Sequence, residues 1–302
     1  MGLLSDLGTV ARGWRWGHRT IFPSGLDPVE DRREFPTDWA RSPAARAARE
    51  MILRFGLGPL MRLEVDLSVH GLEVLDDLDP PAIFVSNHAS HLDAPVLLTS
   101  LPPAWRRAVA VGAATDYFFD VWWRRAATIL VFNAFPIERR SGRRSARKAR
   151  DLLKGGWSLI VFPEGTRSRD GWVQPLRSGA AWLAVETGIP VVPIGITGSY
   201  QAMPPGRNWP VAGRKPVAVR LGRALRPLKG ERVVDFQQRL RMGLAVTLDE
   251  ERTSWWEAIR RAAEGRALDP SGPSAARWRR LWESHRPVAR PPTAWPARKR
   301  EP

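Results

Sequence analysis

The sequence predicts an α/β fold, with a mostly parallel central sheet and helices on both faces. Three observations carry this. Apolar runs of strand length recur at 82–86, 108–112, 158–162, 191–197 and 217–222. Segments with three- and four-residue apolar spacing lie between several of them, at 91–100, 115–128, 142–154 and 176–187. The chain has 302 residues and is 43% hydrophobic, enough to close one large core around such alternating elements.

In chain order, residues 1–42 read as a loosely ordered segment rich in Pro, Asp and turn residues. A helix is predicted from Pro43, with Ser42 as its N-cap and Pro43 at the first helical position. Ala48, Met51, Ile52 and Phe55 form its apolar stripe, with Arg46, Arg49, Glu50 and Arg54 mostly elsewhere. Gly56, Gly58 and Pro59 are expected to interrupt it. Val65, Leu67 and Val69 alternate with polar residues, as in a strand. After the central alternation come helical patterns at 232–248 and 254–264. The division expected is a lead-in at 43–63 within an enzyme-sized domain of 43–265, then a flexible Pro/Arg-rich tail at 266–302 with one short helix.

Composition narrows the chemistry. Cysteine is absent, which excludes disulfides, thiolate metal sites and a cysteine nucleophile. Lys and Arg total 47 against 31 Asp and Glu, for a net charge of +16, so the chain is drawn to anions: nucleic acid, acidic lipid headgroups or phosphorylated substrates. The N-terminus does not read as a signal peptide, and no run of about 18 apolar residues predicts a membrane-spanning helix.

Two stretches concentrate chemistry. In "AIFVSNHASHLDAPVLL" (82–98) an apolar run ends at Ser86-Asn87-His88, followed by His91 and Asp93. In an open α/β sheet the carboxyl edge is where ligands bind. Three readings compete at this point: a base, His88, oriented by Asp93; a metal site using His88, His91 and Asp93, for which no further ligand cluster is present; or a capped turn. In "SLIVFPEGTRSRDG" (158–171) another apolar run ends in Phe162-Pro163-Glu164-Gly165-Thr166-Arg167-Ser168. Gly165 permits close backbone approach, and Arg167 offers a planar fork suited to phosphate or carboxylate.

Taken together these stretches resemble the glycerolipid (lysophospholipid) acyltransferase family, which includes 1-acylglycerol-3-phosphate acyltransferases. "NHASHLD" fits the family's Asn-His-x-x-x-x-Asp, "FNAFPIERR" (132–140) its second motif with Arg139 as the arginine, "FPEGTRS" its third, and "VVPIGITG" with Val192-Pro193-Ile194 its fourth. The resemblance covers about residues 60–225. In the second motif Asn133 and Phe135-Pro136-Ile137-Glu138 depart from the common Gly and Phe-Ile form. The resemblance implies that His88 is the general base and Asp93 its orienting acid, with an acceptor of the lysophosphatidic acid type and acyl-CoA or acyl carrier protein as donor. It implies that Arg139 and Arg167 hold phosphate, with Glu164, Gly165 and Thr166 completing the substrate site and Glu164 positioning a hydroxyl or bracing an arginine. Neither cofactor nor metal is implied. Backbone N–H groups near the helix start at 90–93 are candidates for stabilising the oxyanion.

Acyl-chain substrates imply work at an anionic membrane surface, peripherally on the inner face of the plasma membrane. The stripe after Ser42 and the aromatic-arginine pairs in "PPAWRR" (around Trp105) and "DYFFDVWWRR" (116–125) suit that interface; the plain alternative for Met51, Ile52 and Phe55 is packing on the sheet. The basic stretch "ERRSGRRSARKAR" (138–150) has no accompanying nucleic-acid-binding motif. A helix there with Ala146, Ala149, Leu152 and Leu153 inward would carry its arginines on a solvated face, so no nucleic-acid partner is expected.

Overall fold

The structure is a computed structural model that describes residues 37–114, 122–137 and 142–285. Its strands are β1 (Val65–His70), β2 (Ile83–Ser86), β3 (Val109–Ala114), β4 (Phe135–Ile137), β5 (Ser158–Val161), β6 (Val191–Thr197) and β7 (Lys215–Leu221). They form one sheet in the order β1-β7-β6-β2-β5-β3-β4. All neighbours pair in parallel except β6 and β7, which are antiparallel. The mostly parallel sheet is thus as expected. The short strand β4, inside the second motif, is an addition; three residues are too few to show a period in the sequence.

Alternation within the strands divides the core between two faces. Phe84, Val109, Val111, Ile160, Val192 and Ile194 pack with Leu97, Leu98 and Trp105 on one side. Ile83, Val85, Ala110, Leu159 and Val161 pack on the other with residues of α6 (Gly142–Lys154), α7 (Gly179–Thr187) and α9 (Val233–Arg252). The first face is covered by α3 (Asp93–Ser100), the short α4 (Pro103–Arg106) and the N-terminal helical lead-in. Arg144 and Arg147 of α6 are exposed while Ala149, Leu152 and Leu153 are buried, the solvated basic face anticipated from its spacing.

Three expectations are corrected. The lead-in helix does not stop at Gly56–Pro59. Its α1 (Pro43–Met51) passes through a π-helical stretch (Ile52–Leu57) into α2 (Gly58–Glu64). The wider turn changes the hydrogen-bond register, and Pro59 falls in the first turn of α2, where its missing N–H is not needed. Ser42 does cap α1, accepting the Ala45 N–H at 3.3 Å. Second, Arg49, set off the apolar stripe by its spacing, is nonetheless buried: Nε donates to the Leu130 carbonyl and Nη2 to the Ala40 carbonyl, both at 2.6 Å. It ties α1 to α5 (Trp122–Phe132), and burial beside Arg41 and Arg46 lowers its pKa to about 10. Third, Trp105 is no surface aromatic; it lies edge-on to Phe84 at 5.6 Å in the core. Of the segment expected to be helical at 115–128, residues 115–121 lie outside the described residues, as do 1–36 and 286–302.

The short α8 (Ser199–Ala202) follows β6, and towards the C-terminus α10 (Trp255–Ala263) packs on α9. The last described helix, α11 (Arg277–Ser284), is anchored: Arg280 Nε reaches Asp170 Oδ2 at 2.7 Å, and Trp172 Nε1 donates to the Arg280 carbonyl at 3.0 Å.

Candidate active site

β2 and β5 are neighbours and parallel, so the two chemical stretches leave the sheet side by side at its carboxyl edge. The chain after β2 makes a tight turn that places Asp93 at the first residue of α3. Asp93 is fully buried, and its Oδ2 lies 2.9 Å from His88 Nδ1. The same oxygen accepts the backbone N–H groups of Ala89 at 2.7 Å and Ser90 at 2.8 Å. Three donors on one oxygen hold the carboxylate rigidly. With Nδ1–H directed at Asp93, the other ring nitrogen, Nε2, carries the lone pair. Phe162 stacks on the imidazole at 4.2 Å and fixes its plane.

The second stretch is bound to the first through backbone. The Ser168 N–H donates to the His88 carbonyl at 2.8 Å. Glu164 is buried; one carboxylate oxygen accepts the His88 N–H at 2.7 Å, the other the Gln174 N–H at 2.8 Å. Burial raises its pKa to about 8, although both N–H donors pull it down. Asn87 closes the opposite flank: its amide donates to the Ile196 carbonyl at 2.9 Å and accepts the Ile196 N–H at 2.8 Å, joining the turn to β6 like an extra ladder rung.

His88 opens into a cavity of about 720 Å³. Part of its wall is polar: His91, Gly165, Thr166, Arg167 and Arg177. Much of the rest is apolar, including Val111, Ala127, Val131, Phe135, Ile137 and Leu183. Glu164 does not line it; its carboxylate faces backbone. His91 is held neutral, its pKa lowered to about 3 by burial and then by the charges of Arg167 and His88. Gly165 has φ +72°, and a Cβ there would meet Arg177 Nε at 2.7 Å, so glycine is required both by the turn and by the close approach of the guanidinium.

The structure therefore brings His88, Asp93, Gly165, Thr166 and Arg167 together, with Glu164 behind them. Arg139 lies outside the described residues. The cavity also takes in Arg177, which sequence reasoning missed. The loop after β5 returns on itself, its Arg177 N–H donating to the Pro163 carbonyl at 2.8 Å, and no local pattern announces that return. Three of the expected oxyanion donors at 90–93 are otherwise engaged. Ser90 N–H binds Asp93, Leu92 N–H binds Ser90 Oγ, and Asp93 N–H binds the Ser90 carbonyl. Among the described residues no group of three or more His, Asp or Glu side chains is arranged to hold a metal ion.

Residues 66–197 match a family model described as acyltransferase. A chloroplastic 1-acyl-sn-glycerol-3-phosphate acyltransferase of Brassica napus is 36% identical over 141 residues, 46% of this chain and 39% of that protein. The human 1-acyl-sn-glycerol-3-phosphate acyltransferase alpha is 33% identical over 127 residues, 40% and 42% of the respective chains. The chain thus spans about two fifths of the length of these relatives. In the crystal structure of the 1-acyl-sn-glycerophosphate acyltransferase PlsC from Thermotoga maritima, the likeness covers 69% of this chain and 85% of that one, with a TM-score of 0.52 and 27% sequence identity. The matched residues contain the sheet edge, the His88–Asp93 turn and the loop after β5, so it is this part of the chain, residues 66–197, that is similar to an acyltransferase domain.

Proposed function

We propose that the protein is a 1-acylglycerol-3-phosphate O-acyltransferase of phospholipid synthesis. It transfers an acyl chain from the thioester of acyl-CoA or acyl carrier protein to the free hydroxyl of a lysophosphatidic acid. The observation that carries this is the pairing of His88 with the buried Asp93 at 2.9 Å at the mouth of a large cavity with an arginine-bearing wall and an apolar wall.

His88 Nε2 takes the acceptor hydroxyl proton as the oxygen attacks the thioester carbonyl carbon. Asp93 holds the tautomer and stabilises the imidazolium. The tetrahedral intermediate collapses with cleavage of the C–S bond, and the thiolate leaves with the proton from His88. The products are an ester and a free thiol, and His88 is neutral again. No covalent enzyme intermediate is needed, because a thioester is already activated. Arg167 and Arg177 are suited to the acceptor phosphate, with Arg139 a further candidate, while the apolar wall is suited to an acyl chain.

Both substrates are amphiphiles, so the enzyme works at a membrane surface. Among the described residues no helix is long and apolar enough to cross a membrane. Met51, Ile52 and Phe55 are exposed, as is Leu63, with exposed Arg46, Arg54 and Arg62 beside them. That supports peripheral attachment to an anionic leaflet, the inner face of the plasma membrane, through this helix.

The test is an assay of purified protein with a panel of lysophospholipids and of acyl-CoA and acyl carrier protein donors. Formation of phosphatidic acid from lysophosphatidic acid is expected. Transfer to a lysophospholipid without a terminal phosphate monoester, and none to lysophosphatidic acid, would reassign the acceptor. No transfer to any acceptor would overturn the reading.

A further inference from the structure

A second cavity, of about 250 Å³, lies behind the His88 turn. Asn87 and Ala89 contribute to it from that turn, Ser199 from just after β6, Trp172 from the loop after β5, Arg252 from the end of α9 and Glu283 from α11. It shares no lining residue with the larger cavity.

Two of its polar side chains are unsatisfied. Arg252 stacks over the Trp172 ring at 5.4 Å, and its buried Nε has no hydrogen-bond partner among the described residues. Its neighbour Asp249 engages Arg261 through one oxygen, Oδ1, 3.2 Å from Arg261 Nη1, while its buried Oδ2 has no hydrogen-bond partner among the described residues. Ser199 is buried, and its Oγ also lacks a partner. Buried donors are almost always paired, so the Arg252 Nε–H and the Ser199 hydroxyl, both buried and unpaired beside one cavity, call for a third party. The carboxylate on the wall, Glu283, is already paired with Arg279 at 3.1 Å. An oxyanion answers both donors: the planar guanidinium fork matches carboxylate or phosphate, and the serine supplies another hydrogen bond. At 250 Å³ the cavity lies below the roughly 300–1,000 Å³ usual for drug-sized ligands. Its occupant is therefore small, and the Trp172 and Tyr200 side chains give it an aromatic wall.

We propose that this cavity is a second anion site, distinct from the His88 pocket, which binds a small molecule bearing a phosphate or carboxylate group through Arg252 and Ser199. Because Asn87 and Ala89 form part of its wall, the bound anion sits directly behind the residues that flank His88.

The experiment is thermal unfolding of the full chain at rising inorganic phosphate, and separately at rising acetate, each at fixed ionic strength. Wild type, Arg252→Met, Arg252→Lys, Ser199→Ala and Arg167→Met are compared. At about ten times its Kd one of these anions should raise the midpoint of wild type by roughly 2–4 °C. The rise should persist in Arg167→Met, weaken in Ser199→Ala and in Arg252→Lys, which keeps charge but loses the fork, and vanish in Arg252→Met. If Arg252→Met does not fold, Ser199→Ala and Arg252→Lys carry the comparison. A rise that disappears in Arg167→Met and survives the Arg252 and Ser199 variants places the anion in the His88 pocket and overturns the proposal. No rise in wild type with either anion overturns it as well. Acyl transfer by wild type is measured alongside, so failure of the second site and failure of the proposed activity are read separately.

Discussion

The carboxylate of Glu164 accepts the backbone N–H of His88 at 2.7 Å, so the acid of one motif holds the main chain of the proposed base in another. Its second oxygen reaches Gln174 N–H, and the carboxylate is buried away from the cavity. Glu164 is thus a positioning residue under the proposed mechanism. Above pH about 8, where Glu164 is a carboxylate, Glu164→Gln presents an amide to two N–H donors that want an acceptor, and one of them loses its partner, at a cost of about 1–3 kcal/mol. Displacement of His88 by about 1 Å can lower turnover on the order of 10²-fold. The expected result is a fall in kcat with KM for the acceptor nearly unchanged. A rise in acceptor KM with kcat preserved would instead make Glu164 a substrate-binding group.

His88→Ala should lower turnover by roughly 10²–10⁴-fold or more while circular dichroism stays that of the folded protein. Asp93→Asn should come close to it in activity. Asp93 Oδ2 takes N–H groups from Ala89 and Ser90 as well as His88, so an amide nitrogen at this spot meets donors, while an amide oxygen there leaves His88 without its anion. Near wild-type turnover by folded His88→Ala would remove the base from the mechanism.

His91 gives a stability prediction with a defined sign. Its pKa falls from an ordinary 6.5 to about 3 in the folded protein. Between those values the unfolded chain binds a proton that the folded chain does not, so stability must fall as pH drops from about 6.5 towards 3. Denaturant titrations over this range should show a shallower decline for His91→Gln than for wild type. Parallel declines would mean that His91 titrates normally. Its effect on turnover should be much smaller than that of His88→Ala.

How much of this was legible in the sequence depended on whether the signal was local. The strands through Phe84 and Ile160 were legible because contiguous apolar runs mark buried parallel strands, and polar residues at their ends mark the sheet edge. His88 and Asp93 were legible as candidates because a turn of only four residues joins them. Burial of Arg49 and Trp105 was not, since their partners are the Leu130 and Ala40 carbonyls and the Phe84 ring, brought by tertiary packing. The bond from Asn87 to Ile196 spans 109 residues of sequence and depends on β2 and β6 being neighbours, which no local pattern specifies.

Gly112 offers a handle on acyl length. It lines the large cavity, and a Cβ there would come within 2.3 Å of Ile137 Cδ1, so Ile137 must move. Ile137 also lines that cavity. Gly112→Ala should therefore shorten or narrow the apolar end and shift preference to shorter acyl donors. The loss for long chains should approach about tenfold for each methylene no longer accommodated. Competition between donors of different length measures the ratio. An unchanged ratio in a folded, active variant would place the acyl chain elsewhere.

Membrane attachment is predicted to run through the lead-in helix. Met51 is 59% exposed, Phe55 64% and Leu63 70%, while the opposite side buries Leu53 and Met61 in the protein. The helix therefore packs with one side and leaves a large apolar stripe uncovered on the other. The guanidinium of Arg54 lies over the Phe55 ring at 5.4 Å, which sets a charge beside the stripe. Full burial of each large side chain in lipid contributes about 1.5–3 kcal/mol, and each basic residue near an anionic surface about 1 kcal/mol that salt weakens. Wild type should float with anionic vesicles, less at high salt. Met51→Asp combined with Phe55→Asp should abolish flotation without unfolding the protein, because both side chains already face outward. If the double variant floats as well as wild type, the stripe is not the anchor, and the exposed Trp255, Trp256, Trp278 and Trp282 of the C-terminal helices become the next surface to substitute. If wild type ignores vesicles yet binds DNA at the same salt, its positive charge serves a different anion and peripheral attachment is wrong.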